Sequence, residues 1–233
     1  MPEAFRNKRI LIYTAHPDDE TLGAGGTILK AVEAGADVHV YIPATGIHAR
    51  RNVVDENVCA GAFRKLREDT AGALSELSVS PDDISFGEFA DNEMDGVTRL
   101  SVIHALEEVM ERIRPELVIT HHWRCTNIDH QRCFEAAVVA TRPSDERRIA
   151  LWSCEIPSST GYLRPTQFEP SLYVGLEERH VDAKIKAMQA YGTEARPDPH
   201  PRSPEVLKAL AKVRGSESGF SWAEAFQVVR SFA

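Results

Sequence analysis

RILIYTAHPDDETLGAGG, residues 9–26, joins a short apolar run to a cluster of ionisable side chains and then to a segment rich in glycine and alanine. The run ILIY predicts a buried strand, and the small residues that follow the cluster have the spacing of a helix. His16, Asp18, Asp19 and Glu20 therefore come after a strand end, which in open α/β folds is the edge where ligands bind. Imidazole and carboxylate groups are ordinary zinc ligands. On its own, the stretch is compatible either with a metal site at the carboxyl edge of a sheet or with a structural histidine followed by acidic residues that cap a helix.

Length and composition predict one domain over residues 1–233. The hydrophobic fraction of 42% is enough for a proper core. The net charge of −8 argues against nucleic acid as a partner, because binding a polyanion needs a basic surface. No segment has the apolar length of a signal peptide or a membrane span, and the four cysteines show no CxxC spacing. These features predict a cytoplasmic protein without a membrane partner.

Strand-like and helix-like segments alternate along the chain. The strand-like segments are residues 10–13, 37–42, 84–86, 116–120, 148–154 and, as an edge strand, 172–175. The helix-like segments are residues 27–35, 53–77, 97–114, 132–141, 177–191, 204–214 and 221–232. This alternation predicts a three-layer, Rossmann-like α/β fold, in which helices cover both faces of a mainly parallel sheet. Residues 177–233 are predicted as a helical C-terminal elaboration of the same domain.

A second polar cluster repeats the arrangement of the first. The strand-like segment ELVIT ends in His121 and His122, and Asn127-Ile128-Asp129-His130 then precedes a helix-like segment. Two such clusters at the edges of neighbouring strands can converge on one ion that neither could chelate alone.

Together, the His-Pro-Asp-Asp-Glu and Asn-Ile-Asp-His segments resemble the LmbE/PIG-L family of metal-dependent deacetylases. The resemblance implies that His16, Asp19 and His130 bind Zn²⁺ and that Asp18 is the general base. Asp18 would take a proton as water attacks an amide carbonyl, and would return it to the leaving amine. Glu20 is expected to cap the helix or to support the ligands. The implied function is removal of an N-acetyl group from an amino sugar, a sugar conjugate or a related small metabolite.

The second motif departs from the commonest family pattern, His-x-Asp-His, at Asn127. In that pattern the first histidine helps to stabilise the oxyanion and is oriented by the aspartate, which is Asp129 here. Asn127 can donate a hydrogen bond but cannot shuttle a proton. We therefore expect Asn127 and Asp129 to take part in catalysis. His122, His121 and His200 are alternative partners for the oxyanion.

The resemblance also implies residues that contact the substrate. Arg67, on the helix-like segment 53–77, and Asp91 are candidates for binding sugar hydroxyls, although Asp91 also suits a simple turn. His200 and Arg202 lie on a proline-stiffened loop, where Arg202 could hold a carboxylate or phosphate through paired hydrogen bonds.

Three loop features complete the candidate site. Thr45, His48 and Arg51 belong to a loop at the same predicted edge of the sheet, and Cys125 is a rival metal ligand. Residues 155–168 form a loop of the kind that covers an active site.

Alternatives to a de-N-acetylase remain open. An amidase that cleaves a larger acyl group would use the same chemistry. A dinucleotide-binding protein is suggested by Gly23-Ala24-Gly25-Gly26, but no GxGxxG motif is present. The loss of a histidine at Asn127 is also compatible with a non-catalytic, metal-bound binding module. The expected partner is a small N-acylated molecule, and a homo-oligomer is compatible with the sequence.

Overall fold

The computed structural model describes residues 4–44, 56–145, 147–163 and 168–232, with the side chains of residues 56–60 left out. The strands are β1 (Arg9–Tyr13), β2 (Asp37–Ala44), β3 (Ile84–Phe89), β4 (Leu117–His121), β5 (Ala150–Cys154), β6 (Leu172–Leu176) and β7 (Trp222–Arg230). The helices are α1 (Asp19–Glu33), α2 (Glu56–Glu76), α3 (Arg99–Ile113), α4 (Ile128–Ala140), α5 (Glu178–Ala190) and α6 (Pro204–Ser218). None of these helices is both long enough and apolar enough to cross a bilayer.

The described residues form a sheet of seven strands in the order β3-β2-β1-β4-β5-β7-β6. The first five strands are parallel, whereas β7 runs antiparallel to both β5 and β6. The strand order reverses between β1 and β4, which are paired neighbours. This reversal is the switch point at which α/β sheets bind ligands, and it lies between the two predicted motifs.

Two cores cover the two faces of the sheet. Ile10 and Ile12 of β1 face a core formed with α1, α2, α5 and α6, whereas Leu11 and Tyr13 face a core formed with α3 and α4. Alternate residues of a strand point to opposite faces, so a strand covered on both sides needs the continuous apolar run that β1 has. The predicted three-layer α/β fold with a mainly parallel sheet is confirmed.

The prediction of a helix over residues 221–232 is wrong. This segment forms β7, which lies between β5 and β6, so residues 177–233 are not a helical elaboration but contribute one of the strands inside the sheet. Pairing with a strand on each side gives β7 its backbone hydrogen bonds, and Phe226 of β7 packs against Trp152 of β5. Tertiary pairing outweighs the modest helix propensity of this alanine- and glutamate-containing segment.

Two helix starts also differ from the sequence prediction. α1 begins at Asp19, inside the first motif rather than after it, and α4 begins at Ile128 rather than near residue 132. Both motifs therefore continue directly into a helix, and His130 lies in the first turn of α4. The site is thus fixed by regular structure on both sides of each turn.

The glycines of the first motif serve close packing. A Cβ atom at Gly23 would lie 2.5 Å from Cys154 Sγ, and one at Gly26 would lie 2.5 Å from Leu176 Cδ1. Only a residue without a side chain lets α1 approach β5 and β6 this closely. This packing explains the glycines without a bound dinucleotide.

A buried charge cluster attaches α1 to the C-terminal half of the chain. The Glu224 carboxylate, on β7, accepts hydrogen bonds from the backbone N–H groups of Gly26 (3.0 Å) and Thr27 (2.7 Å). It also accepts one from Lys184 Nζ at 2.7 Å, and both side chains are buried. The cluster joins α1, α5 and β7.

We expect Glu224→Ala to lower the free energy of unfolding by about 3–5 kcal/mol, because it leaves the Lys184 ammonium buried without its partner. Urea unfolding followed by circular dichroism measures the change. The control is Glu178→Ala, which removes an exposed ion pair to Lys208 and should cost less than about 1 kcal/mol. Equal losses in the two variants would contradict a special role for the buried cluster.

Candidate active site

The candidate site lies where β1 and β4 end. Tyr13 is paired with Thr120, so the residues that follow each strand emerge side by side. The backbone N–H of Ala15 donates to His121 Nε2 at 2.7 Å, which ties the first turn to the end of β4. His121 is fully buried, and its ring stacks on His130 with 3.8 Å between centroids.

Three side-chain atoms form a compact triangle. His16 Nδ1 lies 3.3 Å from both Asp19 Oδ2 and His130 Nε2, and the latter two atoms are 3.1 Å apart. Four ligands around a zinc ion at bonds of roughly 2.0–2.1 Å stand about 3.3 Å apart, so the triangle matches three corners of a zinc tetrahedron. The structure therefore brings the three predicted ligands together at a spacing that fits the ion.

Asp129 holds His16 from outside the triangle. The buried Asp129 carboxylate lies 2.9 Å from His16 Nε2 and accepts the backbone N–H groups of Asn92 (2.7 Å) and Met94 (3.0 Å). Asp91 Oδ1 also lies 3.0 Å from His16 Nε2. A proton on Nε2 leaves Nδ1 free as a ligand, which is the usual arrangement behind a metal-bound histidine. The aspartate of the second motif thus orients a residue of the first.

Cys125 contacts the other ring nitrogen of His130. Its Sγ lies 3.1 Å from His130 Nδ1, and its thiol donates to Ser159 Oγ at 3.0 Å. The sulfur accordingly faces the side of the ring that points away from the triangle. Cys125 is placed as an outer partner that holds His130 with Nε2 facing the triangle, and not as a rival ligand.

The charges of the cluster favour a bound cation. Burial alone would lower the pKa of His130, but Asp19 raises it to about 9. Burial would likewise raise the pKa of Asp19, yet the imidazoles of His130 and His121 hold it well below its usual range. Asp19 thus stays ionised and attracts positive charge, which either a proton or a metal ion can supply.

Asp18 sits in a strained turn beside the triangle. Its backbone is in the left-handed region with φ 105°, and its N–H donates to Glu20 Oε2 at 3.1 Å. Glu20 is itself buried and accepts a hydrogen bond from the Tyr191 hydroxyl at 2.6 Å. Burial raises the pKa of the Asp18 carboxyl well above its usual range, and Arg202 opposes that rise. Glu20 therefore supports the turn that presents Asp18.

Asn127 is the N-cap of α4. Its Oδ1 accepts the backbone N–H of Asp129 at 2.9 Å, and its Nδ2 donates to Asn92 Oδ1 at 2.8 Å. An amide nitrogen carries two donor hydrogens, so one of them is not used by Asn92. The residue lines the cavity described next.

A cavity of about 550 Å³ opens over the triangle. Among the described residues that line it, all side chains are polar except those of Pro17 and Leu66. The wall residues that the motifs did not reveal come from loops and from α2: Leu66, Asn92, Thr126, Ser158, Ser159, Glu194 and Arg196. One signal for these residues was present in the sequence, which is the serine and proline content of the loops at residues 155–168 and 196–204.

Of the predicted substrate-binding residues, three line the cavity and two are not among the described residues that do. Asp91, His200 and Arg202 line the cavity, and the Arg202 guanidinium contacts two protein carboxylates. Neither Arg67 nor His122 is among the described residues that line the cavity.

Arg67 and His122 instead pack against aromatic rings. The Arg67 guanidinium lies over the rings of Phe63 and Phe86, at 4.3 Å and 4.7 Å from their centroids. His122 is buried edge-on against the ring of Phe168, at 5.4 Å between centroids. Phe86 and Phe168 are distant in sequence from Arg67 and His122, so the local pattern around each residue could not reveal these contacts.

Three of the loop candidates cannot be placed. Thr45, His48 and Arg51 lie outside the described residues, as do residues 164–167 of the predicted covering loop.

We expect Cys125→Ala to weaken zinc binding by about 10–100-fold, because His130 loses the partner that fixes its ring. Competition against a chromogenic zinc chelator measures the affinity. Cys133→Ala is the matched control, since Cys133 is equally buried on α4 but lies on the core side with Tyr13. Equal zinc affinities in both variants would show that Cys125 does not support the site.

The family relationship agrees with this geometry. A family model described as PIG-L, GlcNAc-PI de-N-acetylase, matches residues 11–141. The 1D-myo-inositol 2-acetamido-2-deoxy-alpha-D-glucopyranoside deacetylase of Rhodococcus opacus strain B4 is 33% identical over 134 residues, which are 49% of this chain and 46% of that protein. The chain thus spans about half the length of this curated relative.

Solved structures share the fold over nearly the whole chain. The N,N'-diacetylchitobiose deacetylase of Pyrococcus horikoshii has a TM-score of 0.75 at 19% identity, covering 95% of this chain and 84% of its own. GalB, the 4-carboxy-2-hydroxymuconate hydratase of Pseudomonas putida KT2440, has a TM-score of 0.72 at 20% identity, covering 97% and 98%. At these identities the likeness shows the fold alone. The match of the family model covers more than half of the chain and contains both motifs, and the chain therefore belongs to the PIG-L family.

Proposed function

We propose that this protein is a zinc-dependent hydrolase that removes an N-acetyl group from an amino sugar, a sugar conjugate or a related small metabolite. The observation that carries the proposal is the triangle of His16 Nδ1, Asp19 Oδ2 and His130 Nε2, with the Asp18 carboxylate next to it in an open cavity. The names of the family and of its deacetylase relatives support this reaction.

The site residues have three roles in this reaction: metal binding, proton transfer and orientation of the ligands. His16, Asp19 and His130 would hold the ion, which supplies an acidified water and polarises the amide carbonyl when it is bound. Asp18 accepts the proton of the attacking water and later delivers it to the departing nitrogen, so that acetate and a free amine are released. Asp129 and Cys125 keep the two imidazoles in orientation.

The wall of the cavity supports a hydroxylated substrate. Its polar lining offers donors and acceptors, and its volume of about 550 Å³ lies within the range of small-molecule sites. Asp91 and His200 are our candidates for contacts to such a substrate, because both line the cavity.

We also propose a cytoplasmic location and a small N-acylated molecule as the partner. Cys125, Cys133 and Cys154 are buried free thiols, which suits a reducing compartment. Assembly into a homo-oligomer stays a prediction.

We expect Asp18→Asn to lower kcat for acetate release by about 10²–10⁴-fold, because the amide cannot take up the proton of the water. Metal analysis should still find zinc bound to the variant, since the three ligands are unchanged. Acetate release from a panel of N-acetylated amino sugars, with longer acyl groups as a second arm, measures the reaction.

Asp82→Asn is the isosteric control at an exposed turn and should leave turnover unchanged. Full activity of the wild-type protein after removal of the metal would overturn the proposal. Cleavage of the longer acyl groups alone would replace the de-N-acetylase with an amidase.

We expect Asn127→Ser to lower kcat by about 100-fold if the amide hydrogen of Asn127 that Asn92 does not use binds the oxyanion. Serine keeps an oxygen for the N-cap of α4, so the variant separates the amide donor from the cap. Zinc content should be unchanged. Wild-type turnover in this variant would remove Asn127 from the oxyanion site.

A further inference from the structure

One nitrogen atom of Arg202 joins two carboxylates in the cavity. Arg202 Nη1 lies 2.8 Å from Asp18 Oδ2 and also 2.8 Å from Glu194 Oε2. The side chain of Asp18 is 3% exposed and that of Glu194 is 14% exposed, so both contacts are shielded from solvent. The charge of this guanidinium is therefore balanced by the protein itself.

One oxygen of the Asp18 carboxylate, Oδ2, faces the Arg202 guanidinium. The Asp18 backbone is held by Glu20, but among the described residues no group with hydrogen-bond geometry faces Asp18 Oδ2. The opposite charge of Arg202 is what holds this oxygen. Because Asp18 is close to the carboxylates of Asp19, Glu20 and Glu194, its side chain would otherwise be repelled from several sides.

Arg202 is itself fixed at both ends. Its backbone N–H donates to His200 Nδ1 at 3.1 Å, and the next residue, Ser203, caps α6 by accepting the N–H of Val206 at 3.2 Å. Its Nε lies 3.4 Å from Ser158 Oγ. Arg202 thus directly precedes the N-cap of α6, which fixes its backbone.

Glu194 is anchored independently of Asp18. Its Oε1 accepts a hydrogen bond from the Thr193 hydroxyl at 3.0 Å, while its Oε2 contacts Arg202. Glu194 therefore holds the same guanidinium nitrogen that contacts Asp18.

We infer that Arg202 and Glu194 are a positioning pair that aims the Asp18 carboxylate, and that Arg202 is not a binding site for an anionic group of the substrate. The inference rests on the proposed function, in which Asp18 is the general base. If the pair orients the base, its loss should lower kcat, which reports the chemical step, and should leave KM nearly unchanged.

The first test compares Arg202→Gln and Arg202→Lys. We expect Arg202→Gln to lower kcat by about 100-fold with little change in KM, because a small displacement of a catalytic group has an effect of that size. Arg202→Lys should recover part of the loss, since one ammonium nitrogen can lie between both carboxylates. Glu194→Gln should lower kcat in the same way but less, because it leaves the contact between Arg202 and Asp18 in place.

The matched control is Arg214→Gln. Arg214 pairs with Glu155 at 2.7 Å, and its exposure of 15% is close to the 22% of Arg202, but it is not among the described residues that line the cavity. It should leave kcat and KM unchanged. Steady-state kinetics with a neutral N-acetyl sugar and a phosphorylated analogue measures both parameters. A rise in KM confined to the phosphorylated substrate would instead make Arg202 an anion site and overturn the inference.

The second test does not depend on turnover. A crystal structure of zinc-loaded Arg202→Gln should show the Asp18 side chain turned away from its wild-type direction, with the three ligands in place. An unchanged Asp18 conformer would overturn the positioning role even if the protein hydrolyses no N-acetyl compound. An inactive wild-type protein with a displaced Asp18 in the variant would instead refute only the proposed function.

Discussion

The parallel pairing of β1 with β4 is the constraint on which the site depends. Neither motif supplies enough ligand atoms alone, since His16 and Asp19 follow β1 and His130 follows β4. Parallel neighbours end at the same edge of the sheet, and α1 and α4 begin there within a few residues of the strand ends. The helix N-termini also favour the negative charges of Asp19 and Asp129 in their first turns. The ligand triangle is therefore a property of the sheet and not of either loop.

This arrangement concentrates buried charge. Asp18, Asp19, Glu20 and Asp129 are all buried. Burying a carboxylate destabilises the fold unless the group is paired or hydrogen-bonded, and each of these four carboxylates has a different partner. Asp19 faces imidazoles, Asp129 accepts two backbone N–H groups, Glu20 accepts a tyrosine hydroxyl, and Asp18 faces a guanidinium. These charge pairs and hydrogen bonds therefore hold the four carboxylates in place.

The fold leaves the reaction open. A deacetylase shares it over 84% of its own chain and a hydratase over 98%. Function must then come from the groups placed at the switch point and from the loops around them. In this chain the loop before α6 supplies Glu194, His200 and Arg202, and residues 158–159 supply two serines. These segments pack against the motifs although they lie far from them in sequence.

The sequence by itself determined the α/β class and the position of both motifs, whereas the three residues of the triangle were implied by the resemblance of these motifs to the LmbE/PIG-L family. Strand periodicity and the residue types after each strand are local properties, so these features are written in short stretches such as HPDDE and NIDH. It did not reveal that residues 222–230 are a strand, because their pairing with β5 and β6 supplies the missing backbone hydrogen bonds. Nor did it reveal that Asp129 orients His16, that Cys125 contacts His130, or that Arg67 and His122 pack against Phe86 and Phe168. Only the tertiary structure decided these, because each depends on a contact between side chains that the fold, and not their sequence neighbourhood, brings together.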